Sequence, residues 1–323
     1  MKYPTILRKY CLSLCSLLLW TTPFLAQEGW LAPQGWQDSS EVVMSDETMA
    51  LILMFDGDSA KVQAINRQLY AALADTVFPD NAVFAVMNAF QVDLNGDNVT
   101  ELICQVGTDP AYGSVGIFRQ EGGHWVCVFF ENFGHHYHGV MLSVLNISAR
   151  EKVVAIPELE LRGSGVYQEV THFFKFIAGD IHHCLRLLHR NHIMGWGLAL
   201  NQQISTTYEF SGYAGSDRIW VIYSYHYFPG PVLQGDMYWE GHPELTIIEG
   251  EEGITYEWNA ESKQYEPFFS ENGLSREQIA VMEELGQDRL FQDAFAGELA
   301  EVLKTGSRQQ KEMLKNYLEM AGR

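Results

Sequence analysis

A short acidic stretch has residue types and spacing suited to binding a hard cation. Asp93, Asn95, Asp97 and Glu101 offer side-chain oxygens at alternate positions, and the backbone carbonyl of Val99 fills the gap before Glu101. Ca²⁺ takes about six to eight oxygen ligands and tolerates irregular geometry, so acids, an amide and a carbonyl in this order suit it. The spacing therefore predicts one structural Ca²⁺ site.

The stretch does not fit an EF-hand loop. An EF-hand requires Gly at its sixth position and Glu at its twelfth. Those positions hold Asn98 and Cys104, and the flanking residues have the pattern of strands rather than helices. A β-strand setting is therefore expected for the loop, with Asn98 in a left-handed turn conformation that Asn tolerates.

The segment DLNGDNVTEL (93–102) resembles the calcium loop of the FG-GAP/VCBS-type repeats found in integrin-like propellers. The resemblance covers one repeat. It implies a loop between neighbouring strands of a four-stranded blade, and it implies the ligands Asp93, Asn95, Asp97, the Val99 carbonyl and Glu101. The family usually has Gly where Asn98 stands and Asp where Glu101 stands.

A histidine-rich segment is the second candidate for metal binding. His135, His136 and His138 lie between Gly134 and Gly139. Imidazoles bind Zn or Cu, and in an extended segment His136 and His138 would face the same side. No HExxH motif, Cys pair or carboxylate at ligand spacing accompanies them, so a solvated loop is favoured and a secondary metal site stays open. Five further histidines are His172, His182, His183, His189 and His192.

Catalytic motifs are otherwise missing from the sequence. There is no G-x-S-x-G motif and no glycine-rich phosphate loop. Glu158 and Glu160 alternate on a predicted strand and would share one face, as would Glu249 and Glu251, so either pair could act as two carboxylates. Acidic surfaces form such pairs by chance, and no catalytic residue is assigned.

Two aromatic segments, 219–228 and 236–242, allow two interpretations. Their Tyr and Trp side chains could line a groove for a carbohydrate or a peptide. Packing in the protein core explains the same residues equally well. A protein or carbohydrate ligand is therefore an expected partner whose identity the sequence does not give.

The composition excludes several classes of protein and partner. The chain has 323 residues, with 41 Asp and Glu against 21 Lys and Arg, a net charge of -20, and 47% hydrophobic residues. This composition excludes disordered, collagen-like and polytopic membrane proteins. The acidity disfavours phosphate backbones, so nucleic acid is not an expected partner.

The first residues have the pattern of an export signal. Lys2, Arg8 and Lys9 precede an apolar run over 11–25, and residues 1–26 are predicted to be a signal peptide. We expect an exported protein that is periplasmic, secreted or associated with the cell envelope. Membrane contact is expected only if this segment stays uncleaved. The later cysteines are predicted to be buried core residues: Cys104, Cys127 and Cys184.

The remaining chain divides into four parts by pattern. Residues 27–45 form a predicted linker, 46–83 a helical segment, 84–273 a repeat-containing β domain and 274–323 two or three C-terminal helices. Capping boxes are predicted at Ser275 with Gln278 and at Ser307 with Gln310.

The β domain is predicted to contain about three repeats. Each has a hairpin of an aromatic strand, a tight turn and an apolar strand, at 115–132, 172–191 and 254–272. In the second repeat Lys152 stands at the place of Glu101, and its ammonium is expected to replace the ion there.

These patterns indicate an α+β fold: a mainly antiparallel β body of about three propeller-blade-like repeats, as a partial propeller or a sandwich-like stack, flanked by N-terminal and C-terminal helices. The expected function is that of an exported, calcium-binding, non-catalytic binding or envelope protein. The alternative is a secreted or periplasmic metal-dependent hydrolase that uses the histidines of 135–138.

Overall fold

The structure is a computed structural model that describes most of the chain from Ala85 onward. The described residues are 43–44, 49, 85–107, 112–134, 142–148, 151–163, 165–195, 198–211, 217–234, 245–270, 273–283 and 288–321. The strands are β1 Val43–Met44, β2 Ala85–Val92, β3 Glu101–Gly107, β4 Tyr112–Glu121, β5 His124–Gly134, β6 Ser143–Asn146, β7 Lys152–Gly163, β8 Val166–Ile177, β9 Asp180–Ile193, β10 Leu200–Phe210, β11 Arg218–Pro229, β12 Ile248–Asn259 and β13 Gln264–Phe268. The helices are α1 Pro231–Gln234, α2 Arg276–Glu283, α3 Asp288–Ala294, α4 Ala296–Thr305 and α5 Arg308–Ala321.

The strands form two antiparallel sheets. Sheet A has the order β1-β5-β4-β3-β2, and sheet B has the order β13-β12-β11-β10-β9-β8-β7-β6. Strands β2–β5, β6–β9 and β10–β13 are three successive four-stranded meanders, and the pairing of β9 with β10 joins the last two into sheet B. The predicted hairpins are confirmed as β4–β5, β8–β9 and β12–β13. The described residues thus show a mainly antiparallel β body with a few helices, and no closed propeller.

The alternation of side chains along β11 explains why the aromatic segment 219–228 folds as a strand. Tyr223 and Tyr227 are buried on one face, whereas Trp220 on the opposite face is 44% exposed. Successive strand residues point to opposite faces, so at β11 one face of sheet B is apolar and the other meets solvent. The tyrosines of segment 219–228 are therefore core residues, one of the two interpretations that the sequence allows. The other aromatic segment, 236–242, lies outside the described residues.

Two apolar clusters hold the layers together. One lies between the sheets, where Ile103 and Val115 of sheet A join Ile156 and Phe174 of sheet B. The other lies between sheet B and the C-terminal helices. Its aromatic centre comprises Tyr223, Tyr225, Tyr227, Phe291, Phe295 and Tyr317, with the rings of Tyr227 and Phe291 4.5 Å apart. Burial of these rings stabilises the docking of the helices on sheet B.

The C-terminal helices begin where the sequence predicts. Gln278 N–H donates to Ser275 Oγ and Ser275 N–H donates to Gln278 Oε1, so both partners of the first capping box are satisfied. Ser307 and Gln310 form the same reciprocal pair. The segment 274–323 contains four described helices, α2–α5, rather than two or three, because short breaks divide the pattern. None of the helices that the structure describes is long and apolar enough to cross a membrane.

The N-terminal assignments fall mostly outside the described residues. The signal peptide 1–26 and nearly all of the helical segment 46–83 lie there, although Met49 is helical and buried. Val43 and Met44, inside the segment assigned as a linker, pair with Val126 and Trp125 of β5. The end of that segment therefore adds an edge strand to sheet A.

Candidate cation-binding loop and a glutamate–histidine cluster

The acidic loop connects two neighbouring strands of sheet A. Val92 of β2 pairs with Glu101 of β3, and the chain turns between them. Gly96 and Asn98 have φ angles of 74° and 66°, in the left-handed region that Gly adopts freely and Asn tolerates. The predicted strand setting and the left-handed conformation of Asn98 are both confirmed.

Backbone N–H groups hold the side chain of Asp93 in the turn. Gly96 N–H donates to Asp93 Oδ1 at 2.7 Å, and Asn98 N–H donates to Asp93 Oδ2 at 3.0 Å. Ionised carboxylate oxygens have further lone pairs, so these bonds leave capacity for a cation. The first predicted ligand is therefore fixed in place by the loop itself.

Asp97 and Asn95 are held in the same way. Val99 N–H donates to Asp97 Oδ1 at 2.7 Å, and Asp97 N–H donates to Asn95 Oδ1 at 3.0 Å. The Val99 N–H, followed by the Asn95 amide, lowers the pKa of Asp97 below its ordinary value. Asp97 is therefore a carboxylate at neutral pH, in the state that a metal requires.

Glu101 is the buried member of the loop. Its side chain is 0% exposed, and its Oε2 accepts the Leu94 N–H at 2.9 Å. Its Oε1 has no hydrogen-bond partner, and the nearest cationic atom is Arg119 Nε at 3.9 Å. Burial raises the pKa of Glu101, a rise that the Leu94 N–H opposes and the charge of Asp97 reinforces. Leaving such an oxygen unpartnered is costly.

Two basic side chains from other strands reach the loop. Arg119 of β4 donates from Nη2 to Asp97 Oδ2 at 2.8 Å, and its guanidinium stacks over Phe176 with 5.1 Å to the ring centroid. Lys152 of β7 donates from Nζ to the Asp93 carbonyl. The structure therefore places the Lys152 ammonium at the acidic loop 93–101, and not within the second repeat where the sequence predicts it. The backbone N–H of Lys152 also donates to the Leu94 carbonyl, which joins the start of β7 to the same loop.

The second metal candidate of the sequence is the histidine-rich segment. His135, His136 and His138 lie outside the described residues. A different group of possible metal ligands is present within the described chain: oxygens of Glu158 and Glu160 and a ring nitrogen of His172 all lie within 4.8 Å of one another. The two glutamates do share one face of β7, as the sequence predicts.

The sequence does not reveal that His172 joins this group or that His183 contacts His172. Both are visible as histidines, but only the register of β7, β8 and β9 brings them to the glutamates. His172 Nδ1 lies 3.1 Å from His183 Nε2. His182 points the other way, towards Lys263 Nζ at 3.2 Å, so His182 and His183 do not belong to the same site.

A polar cavity of about 400 Å³ opens on the face of sheet B opposite the helices. Strand register places Glu249 beside His226 and Glu251 beside Ser224. Ser224 Oγ donates to Glu251 Oε2 at 3.3 Å, and Gln203 also lines the cavity. Glu249 and Glu251 therefore share a face as predicted, on an open and hydrophilic surface.

Comparison with protein-family models, with curated proteins and with solved structures gives no match for this chain. Function is therefore inferred from the residues themselves.

Proposed function

We propose that the protein binds one Ca²⁺ ion in the loop 93–101, through Asp93, Asn95, Asp97, the Val99 carbonyl and Glu101. The proposed role is that of an exported, non-catalytic binding or envelope protein in which the ion stabilises the β2–β3 connection. We include in this proposal that the loop is of the FG-GAP/VCBS type that its sequence resembles.

The buried oxygen of Glu101 is the observation that carries the proposal. The first residue of β3 has a carboxylate that is 0% exposed and has one oxygen without a hydrogen-bond partner. Such unsatisfied buried groups are rare in folded proteins. Hard cations bind carboxylate oxygens strongly, so Ca²⁺ at this position would supply the missing partner. A simple polar turn needs no glutamate there.

The charges around the loop support a divalent ion. Asp93, Asp97 and Glu101 bring three carboxylates against two cations, the Lys152 ammonium at the Asp93 carbonyl and the Arg119 guanidinium. The guanidinium bridges Asp97 and Glu101 at 2.8 Å and 3.9 Å. A guanidinium carries one charge and leaves Glu101 Oε1 without a hydrogen bond. Ca²⁺ carries two charges and can contact several oxygens at once. Calcium binding would therefore displace Arg119 from Asp97 towards Phe176 and solvent.

Calcium-dependent stability tests the proposal. Extracellular calcium modules have dissociation constants of about 10⁻⁴ to 10⁻³ M, so 1 mM Ca²⁺ should stabilise the fold by about 0.4 to 1.4 kcal/mol relative to EGTA. Asp97→Ala should abolish this gain. Asp180→Ala removes an exposed aspartate at the start of β9 and should leave the gain intact. A wild-type protein indifferent to both Ca²⁺ and EGTA would contradict the proposal.

A further inference from the structure

Side chains from four strands meet where sheet A packs on sheet B. Phe133 of β5 contacts the His172 ring of β8 across the interface, with 5.7 Å between the ring centroids. Within sheet B, the Phe174 ring of β8 lies 5.1 Å from the His183 ring of β9. The polar members of this cluster are Glu131 of β5, Glu158 and Glu160 of β7, His172 of β8, and His183 and Arg186 of β9.

The ligand atoms of three residues converge within this cluster. His172 Nε2 lies 2.8 Å from Glu158 Oε2. One ligand atom from each of Glu158, Glu160 and His172 lies within 4.8 Å of the other two. Atoms that share one ion at about 2.0 to 2.2 Å must lie roughly 3 to 3.5 Å apart, so only a small movement of Glu160 would complete the set. We propose that Glu158, Glu160 and His172 bind a divalent transition-metal ion.

The donor set defines the class of ion. One imidazole nitrogen and two carboxylate oxygens suit Zn²⁺, Mn²⁺ or Fe²⁺. Ca²⁺ and Mg²⁺ prefer oxygen ligands alone, so the imidazole separates this site from the loop 93–101. The site uses different residues and a different ion from the calcium site, and it stands whether or not that site binds calcium.

Two residues hold the ligands in place from outside. His183 Nε2 lies 3.1 Å from His172 Nδ1, which leaves His172 Nε2 directed at the glutamates. Arg186 grips Glu160 with two hydrogen bonds, the one from Nε to Oε1 measuring 2.7 Å. Metal-binding histidines and carboxylates usually have such outer partners, which fix ring orientation and ligand geometry. His183 and Arg186 are therefore positioning residues.

The charge balance favours a cation. Glu158 and Glu160 are 24% and 25% exposed, and His172 is 14% exposed. Arg186 brings one positive charge against the carboxylates of Glu158 and Glu160, and it also lies 3.9 Å from Glu283. A partly buried excess of negative charge is costly, and a divalent ion would neutralise it.

Zinc titration of the full-length protein tests the site. The chelator-treated protein is titrated with Zn²⁺ by calorimetry, and Co²⁺ is then used to record the ligand-field absorption of the bound metal. We expect one bound ion that Glu158→Gln and His172→Ala weaken by at least about tenfold. His183→Ala should weaken it by about 10- to 100-fold, and His183→Gln should restore much of it because its side chain can still bond His172 Nδ1.

Matched variants separate this site from other metal-binding residues. His182→Ala removes the neighbouring histidine on the opposite face of β9 and should leave zinc affinity unchanged, as should Asp97→Ala in the calcium loop. If His172→Ala does not fold, Glu158→Gln decides the outcome. Absence of zinc binding by the wild type overturns the proposal. Binding that survives both cluster variants but is lost in His136→Ala/His138→Ala overturns it as well.

Discussion

Replacing Glu101 by Gln should change the free energy of unfolding in opposite directions in two buffers. Relative to the wild type, the variant should be more stable without calcium and less stable with calcium. The change removes a charge that the protein buries completely, and it keeps an oxygen that can accept the Leu94 N–H bonded at 2.9 Å. Burial raises the pKa of Glu101 despite the Arg119 guanidinium, so the surroundings as a whole favour the neutral form. In EGTA the variant should therefore be more stable than the wild type.

The size of the effect follows from the unpartnered oxygen. An unsatisfied buried polar group costs about 1 to 3 kcal/mol, and a charged one costs more. The amide of Gln also leaves one group unpartnered, so a net gain of about 1 kcal/mol is expected in EGTA. In 10 mM Ca²⁺ the wild type should gain about 1.4 to 2.7 kcal/mol, and the variant should gain almost nothing because the ligand has lost its charge.

Urea unfolding at neutral pH, in EGTA and in 10 mM Ca²⁺, measures both effects. Glu121→Gln is the matched control, since Glu121 is exposed at the end of β4 and should change stability by less than about 0.5 kcal/mol in either buffer. The reasoning is refuted if Glu101→Gln is destabilising in EGTA, or if calcium stabilises it as much as the wild type.

Three further predictions follow from contacts elsewhere in the described chain. Arg119→Gln should raise calcium affinity by up to about 30-fold at low salt, because a unit positive charge about 4 Å from a divalent ion opposes binding by roughly 2 kcal/mol even at the dielectric constant of water. Unchanged affinity in a calorimetric titration would contradict displacement of the guanidinium. In a Cys11→Ser/Cys15→Ser background, thiol labelling at pH 8 should be negligible until urea is added, because burial raises the pKa values of the remaining cysteines to about 12: Cys104, Cys127 and Cys184. Burial lowers the pKa of His189 below its ordinary value of 6.5, so the unfolded chain takes up the proton first and stability falls as pH drops through this value. His189→Gln should therefore reduce the loss of stability between pH 7 and 5 that urea unfolding measures. An unaltered dependence of stability on pH would contradict this prediction.

Local features of the fold could be predicted from the sequence. The capping boxes and the left-handed Asn98 depend on neighbours a few residues away, so spacing alone specifies them. The hairpins are local in the same sense, since each joins adjacent strands through a tight turn. The union of β6–β9 and β10–β13 into one sheet is not local, and propeller-like repeats do not imply it.

The candidate sites also combine features that are local in sequence with features that depend on distant strands. The acidic loop is visible as a pattern because its ligands are close in sequence. Its basic neighbours Arg119 and Lys152 arrive from β4 and β7, and no spacing rule links them to it. The glutamate–histidine cluster depends on irregular pairings of β7 with β8 and of β8 with β9, at 159–161 and 173–174. Such β-bulges change which side chains lie opposite each other, so strand alternation alone does not predict the cluster.

Direct measurement of calcium binding tests the central proposal most simply. Isothermal titration of EGTA-treated, then dialysed, full-length protein with CaCl₂ should show one site with a dissociation constant of about 10⁻⁴ to 10⁻³ M, absent in Asp97→Ala and retained in Asp180→Ala. A wild-type protein that binds no calcium in this range, or one whose binding Asp97→Ala leaves unchanged, would contradict a calcium site in the loop 93–101.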